Sequence, residues 1–182
     1  VSTLVNKAFT KESDDSFDDI IPEPKDLLPP GVKNYVTPEG AEQLRSDLRH
    51  LSDVERPRVA TGDVREAGPV GDAEAAKRRR LDAIDRRIRF LRDRVQNMEV
   101  VDTKGQSTHR VRFGASVTVR DEEDVEKTYR IVGVDEADPA AGKISWLSPI
   151  AKALIGRAED DVVKVQLPQG EVELEIVDIK YS

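Results

Sequence analysis

Cysteine is absent from this 182-residue chain, which excludes disulfides and thiolate metal centres. The two histidines, His50 and His109, are far apart and make no histidine-rich metal motif. Aromatic residues are scarce, 4% against 36% charged, so much of the surface must be solvated. Long apolar runs are missing too, which leaves no candidate for a membrane span. The opening stretch "VSTLVNKAFTKESDD" has no apolar core of the secretory kind and turns acidic at once. These absences predict a soluble cytoplasmic protein with no membrane partner.

What is present is charge, unevenly placed. The formal net charge is −7, yet residues 77–94 hold nine basic and three acidic side chains. A strip of that density attracts phosphates even on an acidic protein, although a solvated helix face accounts for it equally well. Just before it, "REAGPVGDAEAAKRRR" (65–80) gathers carboxylates around glycines and a proline.

Residues 1–33 read as a disordered acidic tail: they combine Pro22, Pro24, Pro29 and Pro30 with many acids and no sustained period. A helix start follows, with Thr37 as N-cap, Pro38 at the first helical position and Glu39 in the first turn. Leu44, Leu48 and Leu51 are spaced 4 and 3 apart, and Leu81, Ile84, Ile88, Leu91, Val95 and Met98 continue the same heptad rhythm. Two such helices make an antiparallel α-helical coiled-coil hairpin over 34–100. Pairing Leu44 with Met98, Leu48 with Val95 and Leu51 with Leu91 puts the reversal near residue 71, in "GPVGD", so the tip is expected at 68–72. From there to Met98 the arm reaches roughly 40 Å at 1.5 Å per residue. The seam is polar at its far end, where the register falls on Lys77 and Glu74. That end gains little from burial. Pro57 predicts a kink in the first arm, or a break followed by a short third helix.

After a linker at 101–110 the period changes from 3.5 to 2. "VRFGASVTVR", "EKTYRIVGV", "KISWL", "VVKVQLP" and "EVELEIVDI" read as strands. "SPIAKALIG" reads as one short helix capped by Ser148, begun by Pro149 and stopped by Gly156. The fold class is therefore α+β: a helical hairpin followed, over 111–182, by an antiparallel sheet packed by one helix.

At this level of detail the chain resembles a known family. "KRRRLDAIDRRIRFL", "TPEGAEQLRSDLRHL" with "VERP", and "FGASVTV" through "SPIAKALIG" are similar to the arms and C-terminal domain of Gre transcript-cleavage factors, over about residues 33–182. "NKAFTKE" and "PPGVKNY" look like the GreB-like branch. The resemblance implies an immunophilin (FKBP)-like C-terminal domain seated at the secondary channel of bacterial RNA polymerase. It also implies a coiled coil that reaches the active site, and tip carboxylates that help hold the second Mg²⁺ while the polymerase cleaves backtracked RNA. The protein would then be an accessory factor rather than an enzyme, a monomer with no cofactor of its own beyond that shared Mg²⁺. Mg²⁺ takes oxygen ligands and keeps several waters, so one or two carboxylates suffice.

The family tip reads Gly-Asp-x-x-Glu-Asn. At the expected bend this chain has Gly71 and Asp72, then Ala73 and Glu74, an acid spacing of two instead of three. Asp72 and Glu74, with Glu66 from the other arm, are the candidate catalytic residues, and Asp72 and Glu74 the candidate metal ligands. "GDVREA" at 62–67 matches five of the six motif positions and makes Asp63 the runner-up. The alternative is that these acids only cap a solvated turn, Asp72 as N-cap of the second helix with Glu74 favoured by the helix dipole. The protein would then occupy the channel as a regulator without stimulating cleavage. Lys77, Arg78, Arg79 and Arg80 are the candidate contacts for the nascent RNA 3′ end, since phosphate contact needs only dense cations. Trp146, Leu147, Ser148 and Pro149 are the candidate polymerase-docking segment; Leu147 stands where the family usually has an acid. Peptide binding or prolyl isomerisation by the C-terminal domain is a third reading, weakened by the few aromatics there to line a pocket.

Overall fold

A computed structural model describes residues 26–62, 70–105, 109–168 and 170–181. Its architecture is α+β, with two helical arms beside a five-stranded sheet.

The first arm begins where the sequence predicts. Thr37 caps α1 (Pro38–His50): its side chain accepts from Gly40 N at 3.0 Å, and Pro38, which has no N–H to lose, opens the helix. The arm does not break at Pro57. A π-helical turn, Leu51–Glu55, leads into α2 (Arg56–Thr61), and the Arg56 N–H donates to Leu51 O, five residues back. Proline at 57 has no N–H for the carbonyl of residue 53, and its ring crowds that carbonyl in a regular α-helix. The wider turn just ahead of it lets the arm continue. Gly62, with φ of 83°, ends α2 in the left-handed conformation that glycine adopts without strain.

The second arm is α3 (Val70–Asn97). Leu44 and Leu91 are buried in one cluster with Leu48, Leu51, Val95 and Met98 packed on it, and Val59, Ile84 and Ile88 form a second cluster further out. The two clusters hold the heptad residues read from the sequence, and Arg56 crosses from α2 to Asp85 of α3 with Nε 2.7 Å from Oδ1.

At the base of the arms, β1 (Asn34–Val36) pairs in parallel with β2 (Met98–Val100). This pair has no sequence signal, because three residues show no period. Residues 26–33, expected to belong to a disordered tail, are tied down instead: Asp26 pairs with Arg94 at 2.7 Å and Lys33 with Glu99 at 2.8 Å. Residues 1–25 lie outside the described residues.

The sheet has the order β5 (Lys143–Ser145), β4 (Glu126–Val132), β3 (Ser116–Arg120), β7 (Gly170–Lys180), β6 (Val162–Leu167). It is not wholly antiparallel as expected: β4 and β5 run parallel. Periodicity reports which face a side chain takes, not strand direction. Val117, Val119, Val163 and Val165 alternate inward with Ile131, and α4 (Pro149–Leu154) adds Ala151 and Leu154 to the same core. A bulge shifts the register between Thr118 and Val119. Their partners are Asp178 and Ile176, so Val177 is the extra residue, and Ile176 and Ile179 both face the core despite their odd spacing.

Candidate functional site

The arms thin out toward their far end. Val59 is the last buried residue of the first arm and Leu81 the last apolar side chain packed on the outer cluster from the second. At Gly62 an added Cβ would lie 3.9 Å from Lys77 Nζ, so the Lys77 side chain reaches the end of α2.

α3 takes in part of the stretch expected at the tip, and Gly68 and Pro69 of that stretch lie outside the described residues. Val70, Gly71 and Asp72 form the first turn of α3, not the reversal, and Asp72 is not an N-cap, because the helix begins two residues earlier. The residues that connect the arms are 63–69. Candidates Asp63 and Glu66 are among them and lie outside the described residues.

Within α3, positions 72 and 74 are two apart, about 200° around the axis, and so do not share a face. The Glu74 carboxylate is exposed, with its nearest charged partner Arg78 one turn on, at 3.8 Å. Among the described residues no group of three or more His, Asp or Glu side chains is placed to hold a metal ion. Glu74 alone has the chemistry of a single oxygen ligand to Mg²⁺, not of a site that holds the ion unaided.

Lys77, Arg78, Arg79 and Arg80 occupy successive positions and wrap the helix. Arg78 and Arg79 are exposed; Lys77 and Arg80 are half-buried. Arg80 Nε is shielded and has no hydrogen-bond partner among the described residues. Nearer the base, Arg86, Arg89 and Arg92 are also exposed, extending the cationic surface beyond the four residues singled out from the sequence. The high basic count over 77–94 was the signal that includes them.

The docking segment is arranged differently from an exposed apolar anchor. Trp146 is half-buried and packs edge-on to Tyr35 of β1, ring centroids 5.3 Å apart, while Tyr35 also meets Phe113 at 6.1 Å. Leu147 is half-buried as well, its N–H donating to Ser145 Oγ at 3.2 Å. Ser148 caps α4 by accepting from Ala151 N at 3.1 Å, and Pro149 is the exposed first residue, both as read from the sequence. The chain's single tryptophan therefore joins the sheet module to the base of the arms.

More polar ties cross that boundary. Arg94 of α3 is only 5% exposed, lies 3.3 Å from Asp135 and rests on the Phe90 ring. Burial pushes the Asp135 carboxyl above its ordinary value, and the Arg94 charge opposes that rise. Arg130 of β4 meets Glu39 of α1 at 2.9 Å. Glu136 accepts from Thr37 N at 2.9 Å and Gly133 N at 3.1 Å, and its second oxygen accepts from the Thr37 hydroxyl. Sequence reasoning missed Arg94, Asp135 and Glu136, because partners far apart along the chain leave no local pattern.

Comparison with known proteins accounts for the two-part plan. Residues 34–100 match the model "Transcription elongation factor, N-terminal" of GreA and GreB, and residues 106–181 match "Transcription elongation factor, GreA/GreB, C-term". The chain belongs to the GreA/GreB family of transcription elongation factors. The protein named transcription elongation factor GreB from Yersinia pestis is 44% identical over 153 residues, covering 81% of this chain and 89% of that protein. Its namesake from Pasteurella multocida is 45% identical over 154 residues, covering 82% and 97%. Among solved structures, the elongation factor GreA/GreB from Nitrosomonas europaea is 24% identical, covers 82% of this chain and 100% of that one, and has a TM-score of 0.38.

Proposed function

We propose that this member of the family is an accessory factor of bacterial RNA polymerase that stimulates cleavage of backtracked RNA. The sheet module rests at the rim of the polymerase secondary channel, and the arms carry their polar end down to the active site. The observation that supports this reading best is the arm itself. α3 runs for 28 residues, about 42 Å, and past Leu81 none of its described apolar side chains packs on the arm clusters. A rod that gives up its own packing toward the tip suits a narrow, solvated space better than it suits stability.

The chemistry follows from the residues near that end. Exposed Glu74 offers one carboxylate, and Asp72, Glu66 and Asp63 are the other acids within reach along the chain. A second Mg²⁺ bound in the polymerase site would supply activation of the attacking water, and a carboxylate of this chain would serve as one of its oxygen ligands and orient that water. Asp63 and Glu66 directly follow the Gly62 cap in the "GDVREA" stretch with the family's acid spacing, and they are the preferred pair. The cations from Lys77 to Arg80, continued by Arg86 and Arg89, hold phosphates of the displaced RNA 3′ segment.

The test is direct. Backtracked polymerase is mixed with Mg²⁺ and the protein, and short 3′ RNA fragments are followed with time. Stimulated release is expected, with a loss of tenfold or more, on the order of a removed charged interaction, in Asp63→Ala or Glu66→Ala. A retained rate in those two with a loss in Asp72→Ala or Glu74→Ala reassigns the ligands. Polymerase binding without fragments overturns the cleavage function.

A further inference from the structure

We propose that Glu136 is the positioning residue that sets the direction in which the arms leave the sheet module. It does so by completing the N-terminal cap of α1 from across the module boundary.

A capping box has two halves. The N-cap hydroxyl accepts from the N3 N–H, and a glutamate at N3 returns to accept the N-cap's own N–H. Here the first half is present, Thr37 Oγ1 to Gly40 N at 3.0 Å. The second half cannot come from N3, because N3 is Gly40 and has no side chain. Glu136, 99 residues away, takes that place: its Oε1 accepts from Thr37 N at 2.9 Å. Gly40 is what admits it, since a Cβ there would overlap the Glu136 carboxylate. The same carboxylate also makes the return half of such a cap on its own turn, accepting from Gly133 N at 3.1 Å. Gly133 in turn has no room for a Cβ against Tyr35 O and Glu136. One carboxylate thus serves the starts of both α1 and the 3₁₀ turn Val134–Glu136, and the start of α1 is incomplete without the sheet module.

The other polar ties across the boundary join side chain to side chain: Arg130 meets a Glu39 side chain that is 63% exposed, and Arg94 meets an Asp135 side chain that is 12% exposed. Glu136 instead holds the backbone of the residue from which α1 departs, and Thr37 is 1% exposed. Leverage then matters. A change of about 10° at the base of an arm of this length moves its far end by roughly 7 Å, more than a metal–ligand distance tolerates. That functional consequence rests on the proposed delivery of carboxylates; the geometry of the tie does not.

The absence of cysteine makes the test clean. Spin labels on Ala75→Cys, exposed near the far end of α3, and Lys152→Cys, exposed on α4, report the distance between arm and sheet module in the full chain. Glu136→Ala is expected to shift or broaden that distance by more than about 5 Å, the scale set by the lever arm. Glu136→Gln, which keeps the shape and one acceptor, is expected to stay near the parent distribution. Glu136→Ala with Gly40→Glu rebuilds an ordinary capping box inside α1 but not the tie, so it should recover helix content and stay broad. A parent-like distribution in Glu136→Ala, or its recovery in the double variant, overturns the proposal. Neither readout involves polymerase, so cleavage failing for another reason leaves the result intact.

Discussion

Arg56 and Asp85 join the two arms with a two-point contact, Nε to Oδ1 at 2.7 Å and a terminal guanidinium nitrogen to Oδ2 at 3.3 Å. The pair stands immediately after the π-helical turn, where the backbone ladder changes step. The guanidinium hydrogen bond holds the Asp85 carboxyl below its ordinary value of 3.8. A depressed acid contributes stability that is present above its unfolded-state pKa and lost as pH falls through the folded one. Arm stability should therefore decline below about pH 4, and Asp85→Asn should flatten that part of the profile. Circular dichroism melts of both proteins across the acid range check this; identical acid limbs reject it. The contact is substantially exposed, so its loss at neutral pH should be small and shrink with added salt.

Arg94 behaves differently because it is buried. Arg94→Ala removes the charge that opposes Asp135, itself only 12% exposed on its side chain, and empties the face of Phe90. Breaking a buried pair on one side costs about 3 kcal/mol. Chemical denaturation of Arg94→Ala should show a loss of that order; a loss as small as that of a surface charge would show that water reaches Asp135. The pH sign is opposite to that of Asp85. Burial is the largest influence on Asp135 and raises its pKa, so its contribution is fully present below the ordinary 3.8 and is lost as pH rises through the folded value.

Much of this arrangement was legible from local pattern. Thr37–Pro38 and Ser148–Pro149 announce helix starts because capping is settled within four residues. Leu44, Ile84, Ile88 and Leu91 announce their buried face because a heptad repeats. Non-local features carry no such signature. The parallel pairing of Arg130–Val132 with Lys143–Ser145, the three-residue pair β1–β2 and the carboxylate of Glu136 on Thr37 are set by the packing of distant segments. Heptad pairing put the bend at 68–72, whereas α3 already includes Val70 to Asp72; the connection between the arms, 63–69, lies outside the described residues. For the candidate site, the acidic and basic clusters were legible as composition. Which acids converge was not, since that depends on where Gly62 stops one helix and Val70 starts the next.

Trp146 should report docking of the sheet module on the arms. It is the chain's only tryptophan and touches Tyr35 of β1 edge-on. Tyr35→Ala removes that ring and the one facing Phe113. The stability loss should be about 2 kcal/mol, below the value for a fully buried aromatic because Tyr35 is half-buried. Trp146 emission should move to longer wavelength before global unfolding. Unchanged emission in Tyr35→Ala would mean that the sheet core alone shields the indole.

Val59 tests whether the outer arm is held by burial or by charge. It is 1% exposed and, with Ile84 and Ile88, forms the last cluster before the polar end. Beyond it, α2 contributes only Ala60 and Thr61 before the Gly62 cap, and Thr61 spends its hydroxyl on the carbonyls of Pro57 and Arg58. Val59→Ala removes two methyl groups from that cluster, at a cost of about 2 kcal/mol. Cooperative arms would pass that cost to the whole helical module. A cluster this close to the end should instead lose it locally, because little apolar surface lies outside it to unfold in concert. Amide exchange should therefore quicken from Arg56 to Gly62 and from Lys77 to Ile84, while protection around Leu44 and Leu91 stays as in the parent. Uniform quickening along both arms would instead make the hairpin a single cooperative unit and place the stabilising weight at the far end.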